Sequence, residues 1–475
     1  LHYEERLLFS LIRLRNPNTR IIYVSAIPLC PIVVDYYLQL LPGIPLSHAR
    51  DRLLLLSTYD GSLKPLTQKI LERPRLVEKI KRSLRPGKSY MVCYNSTILE
   101  QELSLKLGIP LLAASPNLLY WGSKSGSREI FAESNIPHPD GSIKLTNVED
   151  LVLSATQLWE RQPQLKRMVV KLNEGFSGEG NAILDLEPIK AYAPGLASHS
   201  ERLSAIKNSL PDLRFQAPNE TWDKFRDRIL KLGAIVECFI EGEEKYSPSF
   251  QGYITPNGEV QVLSTHDQIL GGPDGQIYLG CRFPAEASYR LQIQEMGIQA
   301  GIALAKKGAI ESYAVDFLAV RQDDNSWDIQ AIEINLRKGG TTHPFMTLKF
   351  LTNGNYDRTN GCFYSQEDRA KYYIASDNLQ KEKYRGLLPE DLMDIIAKHN
   401  LHFDSSTKTG SVFHLMGALS EFGKLGLTCI GNSAGEAEDL YSRVEEVLDK
   451  ESQVNFDTYT DNSSQNLPIT WIRSY

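Results

Sequence analysis

The sequence predicts a chain of several domains in which an α/β region is followed by α+β regions. Its 475 residues exceed one typical domain of roughly 150 residues. Residues 19–120 alternate between apolar strand-like runs and helical stretches, a pattern typical of a doubly wound parallel sheet. From residue 121 onward, β-rich runs separated by Gly-containing turns indicate antiparallel hairpins instead. We therefore expect domains at residues 1–120, 121–354 and 355–475, the last ending in a polar tail.

The first region shows the alternation most clearly. Its expected elements are, in order, strand 20–29, helix 65–84, strand 89–95, helix 97–108 and strand 110–115. The second helix stops at Gly108, a residue type that is common just after helix C-termini. Because each pair of strands has a helix between its members, the strands are expected to lie parallel.

The second and third regions have a different pattern. The expected elements are helix 127–135, strands 168–173 and 181–186 as a hairpin, strand 234–242, strands 250–255 and 259–266, helix 285–307, and strands 314–320 and 329–334. In helix 285–307, the apolar stripe is expected at Ile298, Ile302 and Ala305. The polar, proline-containing segment 187–220 is interpreted as a loop or insertion. In the third region, Ser433 and Glu436 form a capping-box sequence before a helical apolar stripe.

Composition excludes several classes of protein. The net charge is −6 and the basic residues form no runs, which argues against nucleic acid as a partner. No apolar run approaches the ~18 residues that span a membrane. The six cysteines include no CxxC pair and sit mostly in apolar surroundings, as expected for reduced thiols in the cytoplasm. The chain begins at Leu1 rather than Met, which leaves room for an upstream segment. Oligomeric state is not readable from the sequence.

The strongest chemical signal is AIEINLR at residues 331–337. On a strand, Glu333 and Asn335 point to the same face, and their oxygens suit Mg²⁺. Arg337 follows on that face and could hold phosphate or a developing oxyanion. The plain alternative is a half-exposed strand with its polar residues outward. Asp316 favours the metal, because a carboxylate in the apolar run 314–320 needs a cation, which is either the metal or a structural Lys or Arg.

A second signal is VVKLNEGFSGEGN at residues 169–181. Lys171 ends an apolar strand, and Gly175, Gly178 and Gly180 follow in the turn. Glycines let backbone N–H groups approach phosphates closely, and the lysine adds positive charge. The pattern is not a Walker A motif, and a purely structural hairpin turn is the commoner explanation of such glycines.

A third signal is IVECFIEGEEKYS at residues 235–247. The backbone of Glu237 and Ile240 could bond a purine edge, with Glu244 reaching a ribose, although a plain core strand is the simpler interpretation. Arg282, in GCRFPA, could contact a substrate. Lys124, in WGSKSGSR, is a lone lysine whose default environment is solvent.

Taken in order, these segments resemble the ATP-grasp superfamily over residues 115–350. The shared order is a lysine before a short helix, a strand lysine, a glycine loop, a hinge strand, and then Asp and Glu-x-Asn on late strands. More narrowly, residues 409–441 resemble the C-terminal element of the pheganomycin-type peptide ligases. The resemblance implies a Rossmann-like pre-ATP-grasp domain, a two-subdomain ATP-grasp fold, and a small C-terminal α+β region. Segment 187–220 has no counterpart in the family pattern.

The resemblance also implies roles in nucleotide binding. Lys124 and Lys171 would bind the α- and β-phosphates of ATP. The loop that closes over the γ-phosphate would contain Gly175, Gly178 and Gly180. Glu237 and Ile240 would hold adenine, and Glu244 the ribose.

The remaining implied roles concern metal and catalysis. Asp316, Glu333 and Asn335 would ligate Mg²⁺, with Mn²⁺ as a substitute. Arg337 and Arg282 would stabilise the transferring phosphate and the anionic intermediate.

The resemblance thus predicts an ATP-dependent ligase that forms an amide through an acylphosphate. Its partners would be a small-molecule carboxylate and an amine, with amino acids or peptides implied by the narrower match. Two alternatives stay open. A kinase on the same fold would make a phosphate ester, and a regulator would bind ATP without turnover. The complete set of Asp316, Glu333, Asn335 and Arg337 argues against the regulator.

Overall fold

The computed structural model describes residues 2–41, 43–175, 180–217, 219–271, 275 and 277–452. Within these residues the chain forms a large antiparallel sheet, a four-stranded antiparallel sheet and two short parallel strand pairs. Across the described ranges, none of the helices combines the length and apolarity needed to cross a membrane. The mixed α/β and α+β character expected from the sequence is present.

The first region begins with a 3-10 helix, His2–Arg15. Its further elements are β1 (Ile21–Ser25), α1 (Pro31–Gln39), α2 (Leu46–Arg50), β2 (Leu53–Ser57), α3 (Leu66–Leu71), α4 (Pro74–Ser83), β3 (Met91–Val92), α5 (Ile98–Leu107) and β4 (Leu111–Leu112). β1 pairs with β2 and β3 pairs with β4, both in parallel. The parallel direction was predicted, but the strand β2 was not. The single helix expected at 65–84 is wrong. It is divided because Pro74 lacks an N–H and Arg73 before it leaves helical geometry, at φ −122° and ψ 79°.

The second region starts with a 3-10 helix, Pro116–Gly122. It continues with α6 (Lys124–Glu133), α7 (Val148–Arg161), β5 (Arg167–Leu172), β6 (Asn181–Asp185), α8 (His199–Ser209), β7 (Arg214–Phe215), α9 (Trp222–Leu232) and β8 (Ala234–Cys238). The sheet order is β7-β6-β5-β8, with β5 and β6 as the predicted hairpin. The loop expected at 187–220 is wrong. Ser198 caps α8 in a capping box with Glu201, and Ile206 and Leu210 anchor the segment in the core.

The large sheet is built mainly from the next part of the chain. Its elements are β9 (Lys245–Tyr246), β10 (Pro248–Ile254), β11 (Val260–Gly271), β12 (Ile277–Phe283), α10 (Arg290–Lys306), β13 (Glu311–Arg321), β14 (Trp327–Asn335) and α11 (Thr342–Thr352). Helix α10 packs on the sheet through Gly297, whose missing side chain leaves room for the Phe250 ring. The stripe expected through Ile302 is wrong, because that side chain is 45% exposed and Ala300 and Leu304 are buried instead.

The last part of the chain extends the same sheet. Its elements are β15 (Asn355–Asp357), β16 (Cys362–Tyr364), β17 (Ala370–Gln380), α12 (Pro389–Lys398), β18 (Gly410–His414), α13 (Leu419–Phe422), β19 (Lys424–Gly431) and α14 (Ala434–Glu451), which Ser433 caps. The strand order is β14-β13-β10-β11-β12-β17-β16-β15, and β19 joins β17 to β18. One hydrophobic core joins the N-terminal 3-10 helix and α1 to this C-terminal part. The first and last segments of the chain therefore pack together beside the large sheet.

Candidate functional site

Two carboxylates face each other across adjacent strands of the large sheet. Asp316 on β13 lies directly opposite Glu333 on β14, and the neighbouring pair is Ala314 and Asn335. Because side chains directly opposite each other in an antiparallel pair share a face, Asp316, Glu333 and Asn335 project together, as the sequence predicted. A β-bulge follows immediately, between Asp316 and Phe317. Phe317 then pairs with Ala331, and the alternation of core-facing side chains resumes there.

Amide side chains hold the two carboxylates. Asn335 Nδ2 donates to Asp316 Oδ2 at 3.0 Å and to Glu333 Oε1 at 3.1 Å. Gln268 on β11 donates to the other oxygen of Asp316 at 2.7 Å. The sequence marks Gln268 only as a polar residue near a glycine turn, so its contact with Asp316 comes from the structure alone. All four side chains are thus connected before any ligand binds.

The pKa values of the two carboxylates are shifted in opposite directions. Burial, and then the nearby Glu333, raise the pKa of Asp316 above its ordinary value of 3.8. Burial also acts to raise the pKa of Glu333, but the ammonium groups of Lys124 and Lys171 outweigh it and lower that pKa overall. Asp316 therefore lacks sufficient positive charge in its surroundings to stabilise its ionised form.

Lys124 is not a solvated lysine. It is the first residue of α6, its side chain is 13% exposed, and its ammonium forms an ion pair with Glu333. Local hydrogen bonds set this position. The backbone N–H of Lys124 donates to the carbonyl of Asn173 at 3.0 Å, and Ile334 N–H donates to the Ser127 hydroxyl at 2.9 Å. Helix α6 is thereby tied to both sheets, with its N-terminus and its lysine directed at the carboxylates.

Arg337 also reaches the cluster. Its Nη2 donates to Asn335 Oδ1 at 3.0 Å, and its Nη1 donates to the carbonyl of Lys338 at 3.0 Å. The guanidinium lies close enough to help lower the pKa of Glu333. The structure therefore brings together the three expected metal ligands, Arg337 and Lys124, although Lys124 and Glu333 are 209 residues apart in sequence.

Lys171 belongs to a buried ion-pair triad. Its ammonium lies 2.6 Å from Glu237 Oε2, and Arg128 Nη1 lies 2.7 Å from Glu237 Oε1. Exposure is 8% for Lys171, 12% for Arg128 and 2% for Glu237. Burial acts to raise the pKa of Glu237, and the two cations outweigh it and lower that pKa overall. Sequence reasoning missed Arg128, which no motif marks.

This arrangement corrects the expectation for Glu237. Glu237 lies within the sheet, where it pairs with Val169 of β5 on one side and forms a β-bridge with Gly141 on the other. Its backbone is therefore not at a free edge of the sheet. Glu237 instead supplies the negative charge that stabilises Lys171 in the core. Ile240 lies just beyond the end of β8, where a hinge was expected. Glu244 is 45% exposed and pairs with Arg321, so it is not drawn to the cluster.

The glycine turn between β5 and β6 is only partly described. Gly178 lies outside the described residues. A Cβ atom at position 175 would meet the backbone of Gly180 at 3.7 Å, so Gly175 and Gly180 face each other where the hairpin opens. The turn begins four residues after Lys171, which places its base next to the cationic end of β5.

Arg282 is not part of the cluster, contrary to the sequence expectation. Its Nε lies 2.7 Å from Glu438 on α14, and both side chains are about half exposed, at 52% and 49%. Arg282 on β12 pairs with Asp267 on β11. That pair is offset by one residue from the cross-strand row of paired residues that includes Asp316. The arginine therefore forms a surface ion pair between β12 and the C-terminal helix.

We expect Arg282→Gln to leave ADP formation unchanged. Exposed ion pairs contribute about 0–1 kcal/mol to stability, so the loss of free energy of unfolding should stay within that range. Steady-state kinetics and urea unfolding check both points. Arg337→Gln is the matched comparison, because its guanidinium contacts Asn335. A large loss of activity in Arg282→Gln would restore the catalytic role first expected for it.

Comparison with sequence families gives two matches. The IQCH-like ATP-grasp family matches residues 117–359, and the PGM1 C-terminal domain family matches residues 391–444. The L-propargylglycine–L-glutamate ligase of Streptantibioticus cattleyicolor is 30% identical over 453 residues, covering 94% of this chain and 88% of that protein. The IQ motif-containing protein H of Danio rerio is 25% identical over 375 residues, 71% of this chain but 35% of that protein.

Comparison with solved structures gives the same fold. The biotin carboxylase of Campylobacter jejuni has a TM-score of 0.56 at 12% identity and covers 96% of this chain and 95% of that one. An N5-carboxyaminoimidazole ribonucleotide synthetase, solved as its ADP complex, has a TM-score of 0.52 at 13% identity and covers 94% of this chain and 96% of that one. These likenesses establish the fold.

Proposed function

Because the chain belongs to the ATP-grasp family and is an ATP-dependent carboxylate–amine ligase, we propose that it joins two amino acids, or an amino acid and a short peptide. One observation carries this proposal of substrates. The relative that is 30% identical along 94% of the chain is a ligase of propargylglycine and glutamate. We place the reaction in the cytoplasm, which is consistent with six free cysteines.

For the metal, we assign Asp316, Glu333 and Asn335 as the residues that hold Mg²⁺, with Mn²⁺ as a substitute. The residue types fit, since carboxylate and amide oxygens are the ligands that hard divalent cations prefer. Asn335 would turn its amide oxygen from Arg337 toward the metal, because its Nδ2 is the atom that now faces the two carboxylates. The electrostatics fit as well, because the raised pKa of Asp316 indicates a carboxylate without sufficient positive charge nearby. When bound there, Mg²⁺ would supply Lewis-acid neutralisation of the phosphate charge.

The residues around this site account for the first chemical step. Lys124 and Lys171 bind the phosphates as fixed cations, and the turn containing Gly175, Gly178 and Gly180 excludes water from the reacting centre. A substrate carboxylate oxygen attacks the γ-phosphorus while the bond to the ADP oxygen breaks. The products of this step are an acylphosphate and ADP.

In the second step an amine nitrogen attacks the acyl carbon. Inorganic phosphate leaves with the former carboxylate oxygen, and the nitrogen loses one proton as the amide forms. Arg337 stabilises the negative charge that develops on the tetrahedral intermediate. Positioning and electrostatics supply the catalysis, so no nucleophilic side chain is required. Ile240 is assigned to the adenine through its backbone, and Glu244 to the ribose once its surface pair with Arg321 opens.

The test is ADP release from Mg-ATP with pooled L-amino acids, together with mass spectrometry of the products. The proposal expects a product whose mass equals the sum of two amino acids minus one water. L-glutamate with L-propargylglycine is the first pair to try. ADP release with a phosphorylated product would assign the chain to the kinases instead, and nucleotide binding without turnover over the whole pool would contradict amino-acid ligation.

A further inference from the structure

A small enclosed cavity lies next to the loop that follows Arg337. It is lined from five directions: by the N-terminal 3-10 helix, by Tyr94, by the loop 338–340 and the start of α11, by β17, and by the end of β18. Its volume is about 10 Å³, room for about one water-sized group. The lining residues that the argument uses are Arg6, Lys338, His343, Asp377 and His414.

The two histidines of the cavity are buried, and each has an unpaired ring nitrogen. His343 and His414 are 5% and 3% exposed, and their rings stack at 3.9 Å between centroids. Nδ1 of each ring has no hydrogen-bond partner within the described part of the chain. Burial lowers the pKa of both rings, for His414 to about 3, so both are neutral at physiological pH. Buried polar atoms without partners are rare in folded proteins, and here two of them belong to residues that line one cavity.

Arg6 contributes a cation to the same cavity. Its Nη2 lies 2.6 Å from Asp377 Oδ2, its Nη1 donates to the Tyr94 hydroxyl at 3.3 Å, and its guanidinium lies 4.1 Å from the ring centroid of Tyr3. A guanidinium has five N–H donors in a fixed fork, so these contacts leave donors for another acceptor. The aromatic contacts hold the fork in place.

The remaining walls also favour an anion. Lys338 lines the cavity and pairs with Glu311 at 2.8 Å, outside the lining. Helix α11 is eleven residues long, begins at Thr342 and has no side-chain cap. Because Thr342 lines the cavity, the positive end of the helix dipole adjoins it. Among the charged residues of the lining, Arg6 and Lys338 are cations and Asp377 is the anion. The lining therefore contains two cationic side chains and one carboxylate, with Arg6 paired to Asp377 and Lys338 paired to Glu311.

We propose that this cavity binds the free carboxylate of the amine substrate, so that the enzyme selects amino acids over amines that lack a carboxylate. The inference rests on the proposed ligase function. The loop 338–340 lines the cavity and follows Arg337 directly, so the cavity and the proposed catalytic arginine belong to one continuous segment. A single carboxylate oxygen matches the size of the space, which has room for about one water-sized group.

Hydroxylamine separates this inference from the function on which it rests. It has no carboxylate, and it attacks an acylphosphate to give a hydroxamate, inorganic phosphate and a proton. Wild-type enzyme is supplied with Mg-ATP, L-glutamate and L-propargylglycine, or with hydroxylamine in place of the amine substrate. If wild type forms neither hydroxamate nor ADP, the ligase function fails, and this inference with it.

Arg6→Gln is the test variant, and Arg13→Gln on the same 3-10 helix is the matched control. Because hydrogen bonds to charged groups contribute ~1.5–3 kcal/mol, Arg6→Gln should raise KM for the amino-acid amine ~10- to ~100-fold. Its hydroxamate formation should match wild type, which also shows that the variant folds. Arg6→Lys should recover part of the loss, and Arg13→Gln should behave as wild type.

A second readout is the preference between the amine substrate and its α-carboxamide. Wild type should favour the free acid, and Arg6→Gln should largely lose that preference. Unchanged coupling and preference in Arg6→Gln would overturn the inference and leave the cavity as a water site. Equal loss of coupling and of hydroxamate formation would also overturn it, since Arg6 would then act on the fold or on acylphosphate formation.

Discussion

Glu333→Gln is expected to lower kcat for ADP formation by at least ~100-fold, the effect of removing one preorganised charged group from a phosphoryl-transfer site. Glu333 on β14 lies opposite Asp316 on β13, pairs with Lys124 and accepts a hydrogen bond from Asn335. The amide keeps the size of the side chain but removes the negative charge that pairs with Lys124 and that the proposed Mg²⁺ site needs. Steady-state kinetics with Mg-ATP at saturating substrates measures the loss.

Asp328→Asn is the control for that experiment. Asp328 lies on the same strand, β14, but is exposed and bonded to Gln330. It should retain full activity, and both variants should keep the circular dichroism spectrum of wild type. Wild-type turnover in Glu333→Gln would remove Glu333 from the metal site and with it the assignment of Asp316 and Asn335.

The family, the mixed fold and the ligase activity were predictable from the sequence, and the comparisons confirm them. The cross-strand cluster was predictable in geometry for a physical reason. Alternation along a strand places Glu333 and Asn335 on one face, and an acid in an apolar run marks Asp316 as a residue that needs a cation. The assignment of these residues to Mg²⁺ stays a proposal.

The cations around the cluster were harder to predict. Lys124 and Arg128 are spread along one short helix, and their partners lie 209 and 109 residues away in sequence. No local pattern encodes such contacts, since tertiary packing of α6 against both sheets creates them. For the same reason the surface ion pair of Arg282 with Glu438 could not be predicted. The motif of Arg282 looked functional, but its direction is set by β12 in the sheet and by a helix near the C-terminus.

The buried triad leads to the second large effect. Glu237→Gln should lower the free energy of unfolding by about 3–5 kcal/mol, the usual cost of removing one partner from a buried ion pair. The cost arises because Lys171 and Arg128 keep their charges in the core while their counter-ion is lost. Urea unfolding followed by fluorescence measures it.

Glu241→Gln is the matched control, because Glu241 follows the same strand and pairs with Arg167 at the surface, with 46% of its side chain exposed. That variant should lose only about 0–1 kcal/mol. The contrast between the two glutamates decides what Glu237 does. A large loss of stability in Glu237→Gln alone makes it the counter-ion that keeps Lys171 in place. Near-equal small losses would mean that water or Glu333 compensates the two cations, and the role of Glu237 in positioning Lys171 would have to be given up.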